Sequence, residues 1–150
     1  MEKIKFSFQN SSESSGFLLW QVTNLWQREI KKSLDKQGLT HVQFVILAST
    51  YWLNSQENEC TQVNIANHAK IDIMMTSKVV RTLEEKKLLY RKEHPIDTRA
   101  KIVHLSELGI EVLSTAITIV EDFDVIFFNS IHENKEDFNR LLYKIVEQNG

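Results

Sequence analysis

The chain has 150 residues, 42% of them hydrophobic, and 18 Lys and Arg against 20 Asp and Glu give a formal charge of −2. That length suits a single domain with a real core, and four Gly with one Pro favour a mainly helical fold over a strand-rich one. One cysteine excludes an internal disulfide and fits a reducing cytoplasm, while no apolar run reaches the roughly 18 residues of a membrane span.

No secretory signal pattern opens the chain, and no internal repeat is visible. Residues 1–10 alternate Ile4, Phe6 and Phe8 with polar neighbours, as either an extended arm packed on a partner or a mobile start. Ser11-Ser12-Glu13-Ser14-Ser15 reads as a flexible link. A long helix is expected over 16–36, with Leu18, Leu19, Val22, Leu25, Trp26, Ile30 and Leu34 as its apolar face and Gly38 as its stop. Thr40-His41-Val42-Gln43 has the form of a capping box. It opens a second helix to about Leu53, whose run from Phe44 to Ala48 marks it as central. Asn54 to Glu59 reads as a polar loop, and a small strand is expected near Cys60.

The most informative stretch is 61–105. Thr61 is placed to cap a short helix ending near Lys70, with Ile65, Ala66 and Ala69 on one face. Asp72 is placed to cap the next helix, which runs to about Lys87. Its expected buried stripe is Met75, Val79, Val80 and Leu83, with Thr76 near the edge. The opposite face carries Met74, Ser77, Lys78, Arg81 and Glu85. Two helices joined by about three residues, the second polar outward, form a helix-turn-helix pattern. Two strand-like runs follow, 88–92 and 101–105, around a turn that holds Pro95. A hairpin in that place makes a winged helix, with Arg99 and Lys101 at or beside the tip.

Charge is unevenly spread. Residues 70–101 hold nine Lys and Arg against five acids, a net of +4 inside a chain of −2, so the remainder carries −6. A basic segment that coincides with the reading motif is a local electrostatic footprint for a polyanion.

After the hairpin, Ser106 is placed to cap a long helix to about Ile131. It is apolar around too much of its circumference to be covered on one side only. A last helix, about Lys135 to Gln148, offers Phe138, Leu141, Leu142, Ile145 and Val146. With the first helix, these are expected to build an interface between two copies of the chain.

Three stretches together carry a family resemblance: Thr61-Gln62-Val63-Asn64-Ile65-Ala66, Met75 to Glu84, and Asp97-Thr98-Arg99-Ala100-Lys101 leading into Val103-His104-Leu105-Ser106-Glu107-Leu108-Gly109. They resemble the MarR family of winged-helix regulators, and the Asp-x-Arg wing running into Leu-Ser-x-x-Gly is the most specific part. The resemblance implies a winged helix-turn-helix, with residues of about 40–105 as the DNA-binding lobe. It implies dimerisation helices over about 1–36 and 106–150, and a homodimer on a pseudo-palindromic operator. Family members usually act as repressors released by a small ligand or by thiol oxidation. Carried onto this chain, the second helix of the motif enters the major groove, with Ser77, Lys78 and Arg81 facing DNA and Met74 and Met75 near its leading end. Thr61 touches a phosphate, Arg99 reaches the minor groove with Lys101 beside it, and Asp97 orients the wing. Relatives commonly have Gly where this chain has Lys86-Lys87-Leu88. Either Lys87 is left-handed, at about 1 kcal/mol of strain, or the helix ends differently.

Other chemistries leave weaker marks. There is no Gly-rich phosphate loop, no Gly-x-Ser-x-Gly and no His-Glu-x-x-His, so no enzyme activity and no cofactor is expected. Cys60 beside a histidine admits a thiol reading, but it fits better as a small residue next to a strand. The reactive cysteine of oxidant-sensing relatives lies near the first helix, where this chain has none. The histidines 41, 68, 94, 104 and 132 match no compact zinc spacing. Trp20, Trp26, His41, Phe44, Tyr51 and Trp52 either line a pocket for a small aromatic effector or belong to the core. The alternative to DNA binding is a winged-helix module that binds an acidic protein.

Overall fold

A computed structural model describes residues 3–56 and 59–150. Its elements run α1 (Ser15–Asp35), α2 (His41–Ser55), α3 (Gln62–Ala69), α4 (Ile73–Glu85), β1 (Leu89–Glu93), β2 (Lys101–Leu105), α5 (Glu107–Phe127) and α6 (Lys135–Asn149). The helix starts follow side-chain capping. Ser14 accepts from Phe17 N, Asp72 from Met74 N and Met75 N, and Ser106 from Gly109 N. Thr40 with Gln43, and Thr61 with Asn64, form reciprocal capping boxes.

One core threads the middle of the chain. Ile30 and Leu34 of α1, Ile46 and Leu47 of α2, Ile65 of α3 and Val80 and Leu83 of α4 are buried. They join Leu89 and Val103 of the hairpin and Leu113 and Ala116 of α5. The hairpin is antiparallel, in the register Leu89 to Leu105 through Glu93 to Lys101. In place of the strand expected near Cys60 there is one bridge, Thr61 to Ile102, and Val103 N donates to Cys60 O at 2.7 Å. The expected loop 54–59 begins later, since α2 continues to Ser55, and residues 57–58 lie outside the described residues.

Several expectations need correction. Ser11–Glu13 form a 3-10 turn and not a loose link, because Ser14 N closes on Ser11 O ahead of α1. The long helix stops at Phe127, four residues short of Ile131. There Phe128 leaves helical geometry, its ring edge-on to Phe127 (5.0 Å) and tilted against Phe138 (5.8 Å), and a 3-10 segment, Asn129–Asn134, leads into α6. In α4 the buried place expected for Met75 belongs to Thr76. Met75 is 49% exposed, whereas Thr76 is fully buried with its hydroxyl donating to Asp72 O. The back-bond satisfies the hydroxyl, so the small polar residue fits inside and the bulkier Met75 falls to the rim. Lys87 is left-handed, φ 61°, as is the cap residue Lys70, φ 55°.

The flanking helices are finished on one side only. Leu19, Trp20 and Leu25 of α1, Val125 and Ile126 of α5, and Leu141, Tyr143 and Ile145 of α6 are exposed, and α6 buries no residue at all. The arm residues Ile4 and Phe6 are exposed as well. None of the described helices is long and apolar enough to cross a membrane.

Candidate nucleic-acid interface

The surface of interest is built from two helix starts and a wing. α4 turns its stripe of Thr76, Val80 and Leu83 inward, so a step of 100° per residue throws Met74, Lys78 and Arg81 outward. All three are exposed, Met74 at 79%, while Ser77 is half-buried on the flank. The N-terminus of α4 is closed by Asp72, whose Oδ1 takes the amides of Met74 (2.9 Å) and Met75 (3.0 Å). An anion is therefore not drawn to that end by free amides.

At α3 the arrangement differs. Thr61 Oγ1 accepts from Asn64 N and donates to Asn64 Oδ1 at 2.7 Å, so the hydroxyl is already occupied. Next to the box, the amides of Gln62 and Val63 have no acceptor within the helix. These two residues share a cleft of about 460 Å³ with Thr61, Ile73, Arg91, Asp97, Arg99, Ala100 and Lys101. The cleft lies between the helix-turn-helix and the wing. Gln62, Val63, Ile73 and Arg91 were not singled out from sequence. The first two follow directly from the capping box, whereas the approach of the wing to α3 leaves no local signal.

The three cations on the cleft are not equivalent. Arg91 Nε and Nη2 donate to the two carboxylate oxygens of Glu84 at 2.6 and 3.1 Å, tying β1 to α4. The Arg91 hydrogen bond holds the Glu84 carboxyl below its usual range, and Glu84 in turn raises Arg91. Arg99 and Lys101 are exposed and make no ion pair among the described residues. Arg99 N donates to Asp97 Oδ1 at 3.0 Å, so the Asp97 side chain folds the tip and its carboxylate is turned to the backbone. Of the expected residues, the structure thus groups Thr61, Arg99 and Lys101 on one cleft. Met74, Met75, Lys78 and Arg81 stand along α4, with Ser77 at the flank.

The remaining candidates separate. Cys60 is fully buried, and burial pushes its thiol up to about 11. No group of three His, Cys, Asp or Glu side chains among the described residues is arranged to hold a metal. Among the six aromatic candidates, Trp26, His41 and Phe44 pack together. Trp26 meets His41 edge-on at 4.8 Å and donates to Asp124 at 2.7 Å, and burial lowers His41. Trp20 and Tyr51 line two other clefts, and Trp52 is exposed. Ten residues of α2 separate His41 from Tyr51, about 15 Å along the helix axis, so the Trp26–His41–Phe44 cluster and the exposed Tyr51–Trp52 end are separate places.

Comparison with known proteins agrees with this architecture. Residues 39–101 match the model of the MarR family. An HTH-type transcriptional regulator of Bacillus subtilis, YdcH, is 43% identical over 143 residues, 95% of each chain. Among solved structures, the S. aureus MepR–DNA complex superposes with a TM-score of 0.80 at 22% identity, covering 93% of this chain and 99% of that one. CouR of Rhodococcus jostii, bound to p-coumaroyl-CoA, gives 0.77 at 23% identity over 93% and 95%. An E. coli MarR mutant with operator DNA gives 0.77 at 21% over 87% and 91%. With a relative this similar along nearly its whole length and a winged helix built as described, the chain belongs to the MarR family of transcriptional regulators, which are DNA-binding proteins and not enzymes.

Proposed function

We propose that this regulator works in the cytoplasm as a homodimer that represses from a pseudo-palindromic operator and leaves it when a small aromatic effector binds. Residues of about 40–105 are then the DNA-binding lobe, and α1, α5 and α6 join the two copies. The carrying observation is the placement of exposed Met74, Lys78 and Arg81 on α4 beside a wing whose Arg99 and Lys101 lack acidic partners among the described residues. In this reading α4 lies in the major groove, Met75 and Ser77 flank the contact, and Arg99 enters the neighbouring minor groove. Thr61 sets the α3 cap, and the amides beside it meet a phosphate. The uncovered apolar faces of α1, α5 and α6 supply the second-copy interface and place two recognition helices about 34 Å apart, one turn of DNA. For the effector, the support is the open Tyr51–Trp52 end of α2 together with CouR, a protein of the same fold that holds an aromatic acyl-CoA.

Selection of duplexes from a random pool by the purified protein tests this. An inverted repeat with half-sites one turn apart is expected, with binding that falls steeply as salt rises. A pool that stays random, or binding insensitive to salt, removes the reading and favours an acidic protein as partner.

A further inference from the structure

The wing tip, residues 94–100, is folded around one imidazole. The His94 side chain is only 14% exposed. Its Nδ1 accepts the amide of Ile96 at 3.1 Å and that of Asp97 at 2.9 Å. A ring nitrogen that accepts carries no proton, so the proton of the neutral ring sits on Nε2. That nitrogen meets the carboxylate of Glu59. The ring therefore joins the tip to the segment that leads into α3. In that segment Cys60 O receives Val103 N, and Thr61 bridges to Ile102. From the bonded amides the order passes along the loop. Asp97 Oδ1 accepts Arg99 N, Asp97 O accepts Ala100 N, and Ala100 O accepts His94 N.

We propose that His94 is the positioning residue of the wing, holding the loop that carries Arg99 only as the neutral Nε2–H tautomer, so that DNA binding weakens when the ring gains a proton. The proposal rests on the reading of Arg99 as a DNA contact. Protonation puts N–H on Nδ1, and a donor then faces two backbone donors. Both amides lose their acceptor, and the first two links of the loop open. Two groups face the ring. The Glu59 carboxylate, from the segment before α3, lies against Nε2, and the amides of 96–97 lie against Nδ1. The other charged side chains of the wing, Arg91, Lys92, Glu93, Asp97, Arg99 and Lys101, make no bond to the ring among the described residues. If the ring keeps Glu59 on protonation, the tip is what gives way.

The sign is distinctive. Acidification makes a protein's net charge more positive, which by itself tightens binding to a polyanion. A fall in affinity over the same range runs against that trend. The tests are His94→Asn, whose side-chain oxygen stands where Nδ1 stands and does not titrate, and His94→Phe, which has no acceptor. Duplex affinity is measured at fixed ionic strength from about pH 8 to about pH 5.5, the interval in which imidazoles titrate. The wild type is expected to lose roughly three- to tenfold relative to His94→Asn across that interval, the size of one or two lost hydrogen bonds. His94→Phe is expected to be weak throughout, with unchanged thermal stability. In parallel, nitrogen NMR of the free protein is expected to show an unprotonated Nδ1 at neutral pH and shifts of the Ile96 and Asp97 amides on acidification. Superimposable pH profiles for wild type and His94→Asn, or a protonated Nδ1 at neutral pH, would overturn the proposal. If no duplex binds at any pH, the DNA reading fails on its own, and the NMR of the free protein still decides whether the ring holds the loop.

Discussion

The stretch from α2 to β2 and the helices that flank it are built to different degrees of completion. In the first, the core between α2, α3, α4 and the hairpin is closed, with Leu47, Ile65, Leu83 and Val103 at zero exposure. In the second, apolar faces are laid out along the N-terminal half of α1, the end of α5 and much of α6, and the described residues leave them exposed. The contrast teaches where one sequence provides a fold and where it provides half of one. An uncovered apolar face along three helices is costly in water. In the proposed homodimer a second copy supplies an identical face to bury it.

The strongest way to break the comparison is to charge the open face. Leu141→Glu with Ile145→Glu is expected to yield monomers by sedimentation and to lower duplex affinity by roughly a hundredfold or more, since the second half-site no longer benefits from linkage. The helical circular dichroism should persist. A variant that stays dimeric would mean that α6 is not at the interface.

Next in size is the joint between the two regions. A Cβ on Gly109 would lie 2.0 Å from Leu88 O, where the start of α5 presses on the turn between α4 and β1. Ser106 locks the same place, donating to Lys87 O at 2.6 Å and receiving Gly109 N. Gly109→Ala is expected to cost about 3 kcal/mol in denaturant unfolding, at the upper end of overpacking penalties. Unchanged stability would show that α5 and the wing root shift freely.

Arg99→Ala sharpens the contrast inside the lobe. It should weaken binding by about 1–3 kcal/mol, most of all on A·T-rich flanks, with stability untouched; gel shifts on paired duplexes read this. Glu84→Gln has a smaller effect and a sign fixed by pH. The folded carboxyl lies below its usual range because of Arg91. Its contribution is therefore present above the ordinary carboxylate range and is lost as pH falls through the lowered folded value. Stability curves of variant and wild type should converge on acidification and differ near neutrality. Smallest is Lys87→Gly. With φ at 61°, removal of the side chain relieves left-handed strain and should stabilise by about 0.5–1 kcal/mol in thermal unfolding, net of the entropy of a glycine.

Much of this was legible in the chain because the relevant physics is local. Thr40, Thr61, Asp72 and Ser106 announce helix starts by side-chain chemistry that acts over three residues. The runs 88–92 and 101–105 around Pro95 were read from strand-like composition, and the strands lie at Leu89–Glu93 and Lys101–Leu105; the outward set of Met74, Lys78 and Arg81 followed from 100° steps. Where the reading erred, a non-local or competing term decided. Thr76 displaced Met75 because its hydroxyl could bond back to Asp72 O. The helix expected to reach Ile131 broke at Phe127, where the ring of Phe128 packs tilted against Phe138. Helical spacing left the six aromatic candidates open between a pocket and the core, because it does not show that Trp26 of α1 packs at the His41 end of α2. The cleft shared by Gln62, Ile73 and Arg91 depends on how the wing docks against α3, which no single window of sequence contains.

The account stands on two reading heads held by one shared helical interface. Sedimentation of the protein with its selected duplex, at a protein concentration well above dissociation, tests this in one experiment. Two chains per duplex, with a half-site duplex failing to bind under the same conditions, is the predicted result. One chain per duplex with full affinity, or a protein that remains free beside every duplex at low salt, would contradict it.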